Sequence, residues 1–387
     1  MAHSIIFHGP GVEVGKKRAI YANVLTAIFF LLLTVGIFNL YSASMGGVQF
    51  YGQLRHMVIG IFVFFFVGWV VPLRFINTYA YYQYGLICLA LTLVAILGFT
   101  AGGAQRWLTL GPFNFQPSEL AKISIAITVA RFFYTNRSIP TYHLRDLWPI
   151  GGLVLLIFGL IFEQPDLGTA GVCLMIATAQ LLFVRVDWRS LGIVVTVGLI
   201  MAIFSWNVLL WDYQKLRVLN LFNPSLDPYG SGYNSRQSLV AIGSGALFGK
   251  GFLQGTQTQL QFLPARHTDF IFSVFAEEHG FWASGLVFAL FGFMCYLALE
   301  IARGARNPFN SLLAVGAAAL LFIEFAINVA MVLGIFPVVG VPLPFFSYGG
   351  SGMLTICIAF GLLVSIDRDN SGLARKSSAY PTKLGSS

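Results

Sequence analysis

The stretch RHTDFIFSVFAEEHGFWASGLVFALFGFMCYLALEI, residues 266–301, decides the fold class of this chain. It opens with an arginine, a histidine and an aspartate, and it later runs without a charge from Phe281 to Leu299. An apolar run of about 20 residues matches the hydrocarbon thickness of a bilayer, so this run predicts a membrane-spanning helix. Ionisable side chains next to hydrocarbon are costly, so those at the start of the stretch need a structural or functional reason.

The composition of the whole chain supports the same class. Only 10% of the 387 residues are charged and 57% are hydrophobic, with 37 phenylalanines. A water-exposed surface of this kind would aggregate, which excludes a soluble globular protein. The net charge of +8 comes mostly from an excess of Lys and Arg on the predicted cytoplasmic side, and the sequence has no basic and aromatic module typical of nucleic-acid binding. We therefore expect an all-α polytopic integral membrane protein without a nucleic-acid partner.

Apolar runs of helical length recur along the chain, and about ten of them are long enough to cross a bilayer. We place these predicted spans near residues 20–43, 56–72, 78–99, 117–134, 147–162, 169–184, 190–211, 269–301, 311–335 and 349–366. The first run is too long for a secretory signal peptide and lacks a small-residue cleavage site. It is therefore predicted to remain as a helix.

The predicted topology divides the chain into three parts. Most Lys and Arg residues fall in loops on the side of the N-terminus, which the positive-inside rule assigns to the cytoplasm, and an even number of spans returns the C-terminus there. We expect a cytoplasmic tail at 1–18, a single membrane domain at 19–366 and a disordered cytoplasmic tail at 367–387. The long external loop, about 212–268, has no domain of its own, which is typical of a functional loop.

The eighth predicted span begins beside Asp269. Thr268 can cap this helix, which would place Asp269 in the first turn, where the helix dipole stabilises a carboxylate. Small residues follow on the same helical face, at Ser273, Ala276, Gly280 and Ala283. Such a stripe lets either a lipid chain or another helix approach closely. The sequence thus predicts either a reactive acid above a lipid groove or a capping acid above a helix contact.

Several cations on the predicted external side are not explained by topology. They lie in the fourth span, in the loop before it and in the long external loop, where the positive-inside rule does not act. These residues are Lys122, Arg106, Lys215, Arg217, Arg236, Lys250 and Arg266, with His267 beside the last. Cations at an outer face indicate an anionic partner, for which phosphate is the obvious candidate. Glu119 could share this substrate site, or it could form an ordinary i,i+3 ion pair with Lys122.

Other polar groups lie at predicted helix ends. Asp166 is predicted to cap the sixth span. The segment FPVVGVPLPFFSYGGSGM, 336–353, contains three prolines, so we expect irregular backbone that lines a cavity. The tenth span opens with Ser347, Gly349, Gly350 and Ser351, whose backbone N–H groups could hold an anion or could merely permit close packing. Glu324 and Asn328, at i,i+4 in the ninth span, are interpreted as a helix contact.

Taken in order, these strings resemble a known family. GAQRW, FQPSELAK, QPDLGT, YGSGY, IGSGALFGKG, QFLPARHTDFIF, AEEHG and PVVGVPLPFFSYGGSG occur on about ten spans in the order typical of the SEDS proteins of shape, elongation, division and sporulation. The match extends over nearly the whole chain except its termini. Within the family, GTQTQLQFLPARHTDF and GIFPVVGVPLP are similar to the RodA-like elongation branch rather than the FtsW-like division branch.

The resemblance implies a peptidoglycan glycosyltransferase of cell elongation and rod-shape maintenance. Its substrate would be lipid II, the undecaprenyl-diphosphate-linked disaccharide pentapeptide, polymerised at the outer face of the bacterial cytoplasmic (inner) membrane. A class B penicillin-binding protein transpeptidase and the Mre shape-determining proteins are the implied partners, besides membrane lipids. The family's essential aspartate corresponds to Asp269. Transfer from an α-linked donor to a β-1,4 bond inverts the anomeric carbon, which requires a general base and leaving-group stabilisation.

Two alternatives and one cofactor question accompany this interpretation. A lipid II flippase would have similar spans and cations, but transporters of that kind are typically built from repeated halves, and the sequence shows no repeat. A non-catalytic scaffold of the transpeptidase would not need Asp269 for sugar transfer. The four cysteines lie in predicted spans without metal-ligand spacing, so the one cofactor we consider is Mg²⁺ or Mn²⁺ at the diphosphate.

Overall fold

A computed structural model describes residues 19–101, 104–110, 113–223, 226–227 and 230–371 of the chain. The first half contains α1 (Ala19–Ser44), α2 (Val48–Phe65, continued by a π-helical turn at Phe66–Val70), α3 (Leu73–Thr78), α4 (Ala80–Leu97), β1 (Phe99–Ala101), β2 (Ala104–Leu110), β3 (Phe113–Phe115), α5 (Pro117–Thr135), α6 (Leu144–Phe162) and α7 (Leu167–Leu181). The second half contains α8 (Trp188–Phe204, with a π-helical turn at Ser205–Leu209), α9 (Asp212–Phe222), α10 (Ser231–Ser244), α11 (Thr256–Gln259), α12 (Ile271–Arg303), α13 (Pro308–Val332) and α14 (Gly350–Asn370).

The helices confirm a polytopic all-α membrane protein. Among the described residues, eight helices are long and apolar enough to cross a membrane, namely α1, α2, α4, α6, α8, α12, α13 and α14. The other two predicted spans correspond to α5 and α7. Helix α7 is only 15 residues long, and α5 carries Glu119 and Lys122 near its start.

The charged helix α5 lies inside the bundle. It packs against α4, α7, α13 and α14, so that its two ionisable side chains are shielded by protein rather than exposed to lipid. By contrast, none of the apolar window of α8 is buried within the protein. Because burying charge in hydrocarbon is costly, helices with internal charge belong at the centre and wholly apolar ones at the periphery.

Of the two predicted helix caps, one is present in the structure and one is not. The Asp166 side chain accepts a hydrogen bond from the Thr169 backbone N–H at 3.4 Å, which confirms the predicted N-cap of α7. The prediction that Thr268 caps the eighth span was wrong. Helix α12 begins at Ile271 after Phe270, and the Thr268 hydroxyl donates to the Ala265 carbonyl instead. The Asp269 side chain therefore extends from the loop before the helix.

Two features of the loops add to the predicted picture. Between α4 and α5 the chain forms a small antiparallel sheet in the order β1, β2, β3, where the sequence suggested only a connection. The long external loop contains two helices, α9 at its start and α10, which packs against α12.

The last helix extends further than predicted. It continues to Asn370 rather than ending at 366, and the buried Asp367 carboxylate accepts a hydrogen bond from the Ala22 backbone N–H at 3.1 Å. The start of the predicted tail is thus part of the bundle. Residues 372–387 and the predicted tail at 1–18 lie outside the described residues.

Candidate active site

A cavity of about 280 Å³ lies at the end of the bundle where α5, α7 and α14 begin. We call it the polar cavity. Its charged lining residues are Arg106, Glu119, Asp166, Arg217, Asp269 and Glu324. Much of the remaining wall is the proline-containing segment 339–349, which is irregular as predicted.

Polar contacts fix this segment against the loop that carries Asp269. The Ser347 hydroxyl donates to the Thr268 carbonyl at 2.7 Å. The Tyr348 N–H donates to the His267 carbonyl at 2.9 Å. From α13, the Asn328 amide donates to the carbonyl of Asp269 at 2.9 Å and to that of Val341 at 2.8 Å. The backbone of Asp269 is therefore held from two sides, which preorganises its side chain.

The Asp269 carboxylate itself is available for chemistry. Among the described residues, no side chain or backbone N–H donates a hydrogen bond to it, and no cation lies within ion-pair distance. Burial raises the pKa of Asp269, whereas Arg217 and Arg106 lower it and Asp166 raises it further. Gly340 has a φ of +76°, which side chains rarely adopt, and a Cβ there would lie in van der Waals contact with the Asp269 carboxylate, at 3.7 Å.

Two predicted cations reach the polar cavity. Arg106, on β2, donates to the carbonyls of Gln164, at 3.1 Å, and Pro165, and its guanidinium lies 3.7 Å from the Asp166 carboxylate. Arg217, on α9, lies over the Tyr213 ring at 5.7 Å and forms no ion pair among the described residues. A guanidinium can bind a phosphate through two parallel hydrogen bonds, so Arg217 is the freer of the two for an anion.

Lys122 occupies a different position from the one predicted for a phosphate ligand. Its side chain is fully buried and donates to Glu119 at 2.7 Å and to Glu324, while both carboxylates line the polar cavity. The ion pair with Glu119 that the sequence left open is therefore present. Sequence analysis missed Glu324 as its second partner, although a carboxylate in an apolar span was the available signal.

The other predicted substrate residues fall into two groups. Ser347, Gly349 and Ser351 line the polar cavity, and the Ser351 hydroxyl accepts from the Gln116 N–H at 2.9 Å. Gly350 packs against the His56 ring, where a Cβ would lie 2.8 Å from Nε2, so close packing explains this glycine. The lining does not include four others, namely Lys215, Arg236, Arg266 and His267.

Arg266 and His267 contact other parts of the chain instead. Arg266 donates to the Ala43 carbonyl at 2.7 Å, and burial lowers its pKa. Burial and the neighbouring Arg266 lower the pKa of His267, so its neutral form is favoured. Their substrate role stays a prediction, and their positions in this structure do not favour it.

The predicted lipid groove along α12 is a packing seam in the structure. The Ser273 hydroxyl lies 2.8 Å from the Ser238 hydroxyl of α10, and Ala276 packs directly against Gly245. Gly280 has a φ of +75°, interrupts the helical geometry and packs against the Phe248 and Gly249 backbone. A helix therefore covers this face, and the small side chains allow α10 and the turn after it to approach α12 closely.

The two glutamates after Ala276 also serve structure. Glu277 accepts from Lys250 at 2.7 Å and from the Gln257 N–H at 3.0 Å. Glu278 accepts from the Ser42 hydroxyl at 2.5 Å. Both side chains are buried away from the polar cavity lining, and they fasten the external loop and α1 to α12. Lys250, one of the unexplained external cations, therefore has a structural partner.

Comparison with known proteins identifies the family. The family model described as "Cell cycle protein", which represents FtsW, RodA and SpoVE, matches residues 22–372. The chain belongs to this family. It is 42% identical over 296 residues to the peptidoglycan glycosyltransferase MrdB of Escherichia coli, covering 76% of this chain and 80% of the relative. This similarity confirms the predicted family and its RodA-like branch.

Solved structures agree with the fold. One of them is described as showing the structural coordination of polymerization and crosslinking by a peptidoglycan synthase complex. It matches this chain with a TM-score of 0.77 at 30% sequence identity, and the match covers 90% of this chain and 97% of that one. The crystal structure of the rod shape determining protein RodA of Thermus thermophilus matches with a TM-score of 0.68 at 28% identity, covering 90% and 96%.

The described residues offer few ligands for a metal ion. Within the described ranges, no three His, Cys, Asp or Glu side chains lie close enough together to form a metal site. Asp166 and Asp269 both line the polar cavity. One or two carboxylates together with substrate phosphates are a usual ligand set for Mg²⁺, so Asp166 fits a cation that arrives with a diphosphate and Asp269 stays unligated.

Proposed function

We propose that the polar cavity is the site at which this peptidoglycan glycosyltransferase polymerises lipid II, with Asp269 as the general base. One observation carries the proposal. Asp269 is an enclosed carboxylate without a hydrogen-bond donor among the described residues, and it faces the same cavity as Arg106 and Arg217. Sugar transfer from a lipid diphosphate requires a base for the acceptor hydroxyl and cations for the leaving diphosphate. Both are present here at the end of a membrane bundle.

The proposed reaction is an inverting displacement. The oxygen of the acceptor 4-hydroxyl attacks the anomeric carbon of the donor, and Asp269 accepts the proton of that hydroxyl. The bond from that carbon to the diphosphate oxygen breaks, a β-1,4 bond forms and undecaprenyl diphosphate leaves. Arg217 and Arg106 stabilise the negative charge that develops on the leaving group. The raised pKa of Asp269 makes it a stronger base than an exposed aspartate.

The size of the polar cavity limits what it can enclose. A volume of about 280 Å³ is at the lower end of the range for small-molecule sites. It suits the diphosphate and the reacting sugar edges, while the polyprenyl chains lie in the surrounding hydrocarbon. The seam along α12 is excluded as their path in this structure, because α10 covers it.

The wider setting follows from the family. We propose lipid II as the substrate, a class B penicillin-binding protein and the Mre proteins as partners, and the bacterial inner membrane with both termini in the cytoplasm as the location. The match to a peptidoglycan synthase complex supports assembly with a crosslinking enzyme. A divalent cation at the diphosphate is part of the proposal, and removal of Mg²⁺ and Mn²⁺ by a chelator should then slow polymerisation.

The test is polymerisation of labelled lipid II by the purified full chain. Asp269→Asn should abolish glycan synthesis while lipid II binding persists. The matched control is Asp212→Asn, which removes an exposed aspartate at the start of α9 and should leave synthesis unchanged. Normal glycan chains from Asp269→Asn would refute the proposal. Lipid II translocation into vesicles without polymerisation by the wild type would favour the flippase.

A further inference from the structure

A second cavity, of about 580 Å³, lies at the opposite end of the bundle. We call it the basal cavity. It is enclosed by the end of α2, the α12–α13 connection and the ends of α5 and α14. On α5, Glu119 lines the polar cavity and Tyr134 lines the basal cavity. At a rise of 1.5 Å per residue, these two positions lie about 22 Å apart along the helix axis. The proposed reaction makes no use of this second site.

The basal cavity carries a positive charge that no ion pair among the described residues neutralises. Its charged lining residues are Arg74, Arg306, Arg368 and Asp369. Arg306 donates to the Asn370 carbonyl at 3.1 Å and Arg368 to the Gly68 carbonyl at 2.8 Å, but none of the three arginines forms an ion pair among the described residues.

The remaining contacts leave room for an anion. The Arg74 side chain is exposed and donates no hydrogen bond within the described part of the chain. The one acidic side chain, Asp369, already accepts from the Asn310 amide at 3.1 Å. Three guanidinium groups against one carboxylate therefore favour a phosphate group, which matches the planar arrangement of guanidinium donors.

One wall of the basal cavity continues into the lipid-facing surface of α2. Phe62, Phe66 and Val70 follow at intervals of four residues and are 70%, 46% and 63% exposed. They form one apolar stripe that ends at the cavity, whose lining includes Val70 and Trp69. The Arg368 guanidinium lies over the Trp69 ring at 5.2 Å. Tryptophan is typical of the membrane interface, so this end of the stripe lies at headgroup level.

We infer that the basal cavity binds the headgroup of an anionic glycerophospholipid, with Arg74 and Arg306 on its phosphodiester and an acyl chain along the stripe on α2. The uncompensated arginines select against zwitterionic phosphatidylethanolamine, whose ammonium group they repel. The adjoining stripe favours a lipid over a soluble phosphate, because a soluble anion gains nothing from Phe62 and Phe66. Basic recesses between membrane helices are suited to such headgroups.

The experiment measures lipid binding to the detergent-purified full chain by native mass spectrometry. Phosphatidylglycerol, phosphatidylethanolamine and inorganic phosphate are added separately. The wild type should retain phosphatidylglycerol in preference to the other two. Arg74→Gln with Arg306→Gln should weaken that binding roughly tenfold to thirtyfold. The matched control, Arg145→Gln with Arg189→Gln, removes two other arginines from the same end of the bundle and should leave binding within about twofold of the wild type.

Three results would overturn the inference. Unchanged phosphatidylglycerol binding by the double variant is one, and an equal loss in the control pair is another. The third is inorganic phosphate binding that depends on Arg74 and Arg306, which would make the basal cavity a soluble-anion site. If the double variant has a lower Tm than the wild type in phosphatidylethanolamine, the binding measurement is made on Arg74→Gln alone. The Arg74 side chain forms no hydrogen bond among the described residues, so its removal should not destabilise the fold.

Discussion

At the residue scale, the environment of Asp269 determines the pH dependence of polymerisation. Burial raises its pKa and Arg217 lowers it. A general base acts only when deprotonated, so activity should fall on the acid side at a pH above the usual aspartate value of about 3.9. Arg217→Gln removes a cation that lowers this pKa. The acid limb of the kcat/KM profile should therefore move to higher pH in that variant.

The control for this shift lies on the same helix. Lys215→Gln makes the same change of charge on α9, but Lys215 does not line the polar cavity, so its acid limb should stay close to that of the wild type. The position of the limb, rather than the rate, is the readout because Arg217 is also expected to bind the diphosphate. An unmoved limb in Arg217→Gln would contradict the electrostatic link to Asp269.

The same carboxylate should cost stability. Because its folded pKa is raised above the unfolded value, the ionised form is penalised in the folded state, and the penalty grows as pH rises from the unfolded to the folded pKa. At neutral pH, Asp269→Asn should raise the Tm. Asp166→Ala should lower the Tm, because the loss of an N-cap costs about 0.5–2 kcal/mol of the free energy of unfolding. A lowered Tm for Asp269→Asn would show that its charge is compensated.

At the element scale, a buried triad joins α5 to α13. Lys122 lies between Glu119 and Glu324, and its removal would leave two carboxylates close together without a cation. Lys122→Met should therefore destabilise the protein by about 3–5 kcal/mol. Combining it with Glu119→Gln and Glu324→Gln should restore much of that stability. A Lys122→Met protein that melts like the wild type would show that the triad is not structural.

The bend in α12 is a second feature at this scale. Gly280 adopts a φ of +75°, and a Cβ there would collide with the backbone of Phe248 and Gly249. Gly280→Ala should destabilise the protein by about 1–3 kcal/mol, measured as a lower Tm. Gly285→Ala is the control, since it lies in the same helix with nothing within 4 Å of the added Cβ. Equal Tm values for the two variants would contradict the close packing of Gly280 against the turn after α10.

At the scale of the whole molecule, the sequence predicts those features that depend only on residues within one helix. Apolar length revealed the spans, and local capping rules revealed Asp166, because both depend on neighbouring residues. The pairing of Lys122 with Glu324 joins positions 202 residues apart, which helical spacing cannot reveal. The same limit applies to the stripe on α12. Spacing showed that something packs closely there, but only the tertiary structure distinguishes α10 from a lipid chain.

The two cavities should act independently, although α5 and α14 connect them. Sites more than about 10 Å apart without shared partners are usually additive in free energy, and about 22 Å of α5 separates these two. Phosphatidylglycerol should therefore raise the Tm of Asp269→Asn by as much as it raises that of the wild type. Arg74→Gln with Arg306→Gln should remove the lipid effect from both proteins, and it should leave the acid limb of polymerisation in place. A lipid effect that differs between wild type and Asp269→Asn would instead show that the helices transmit a change from one end of the bundle to the other.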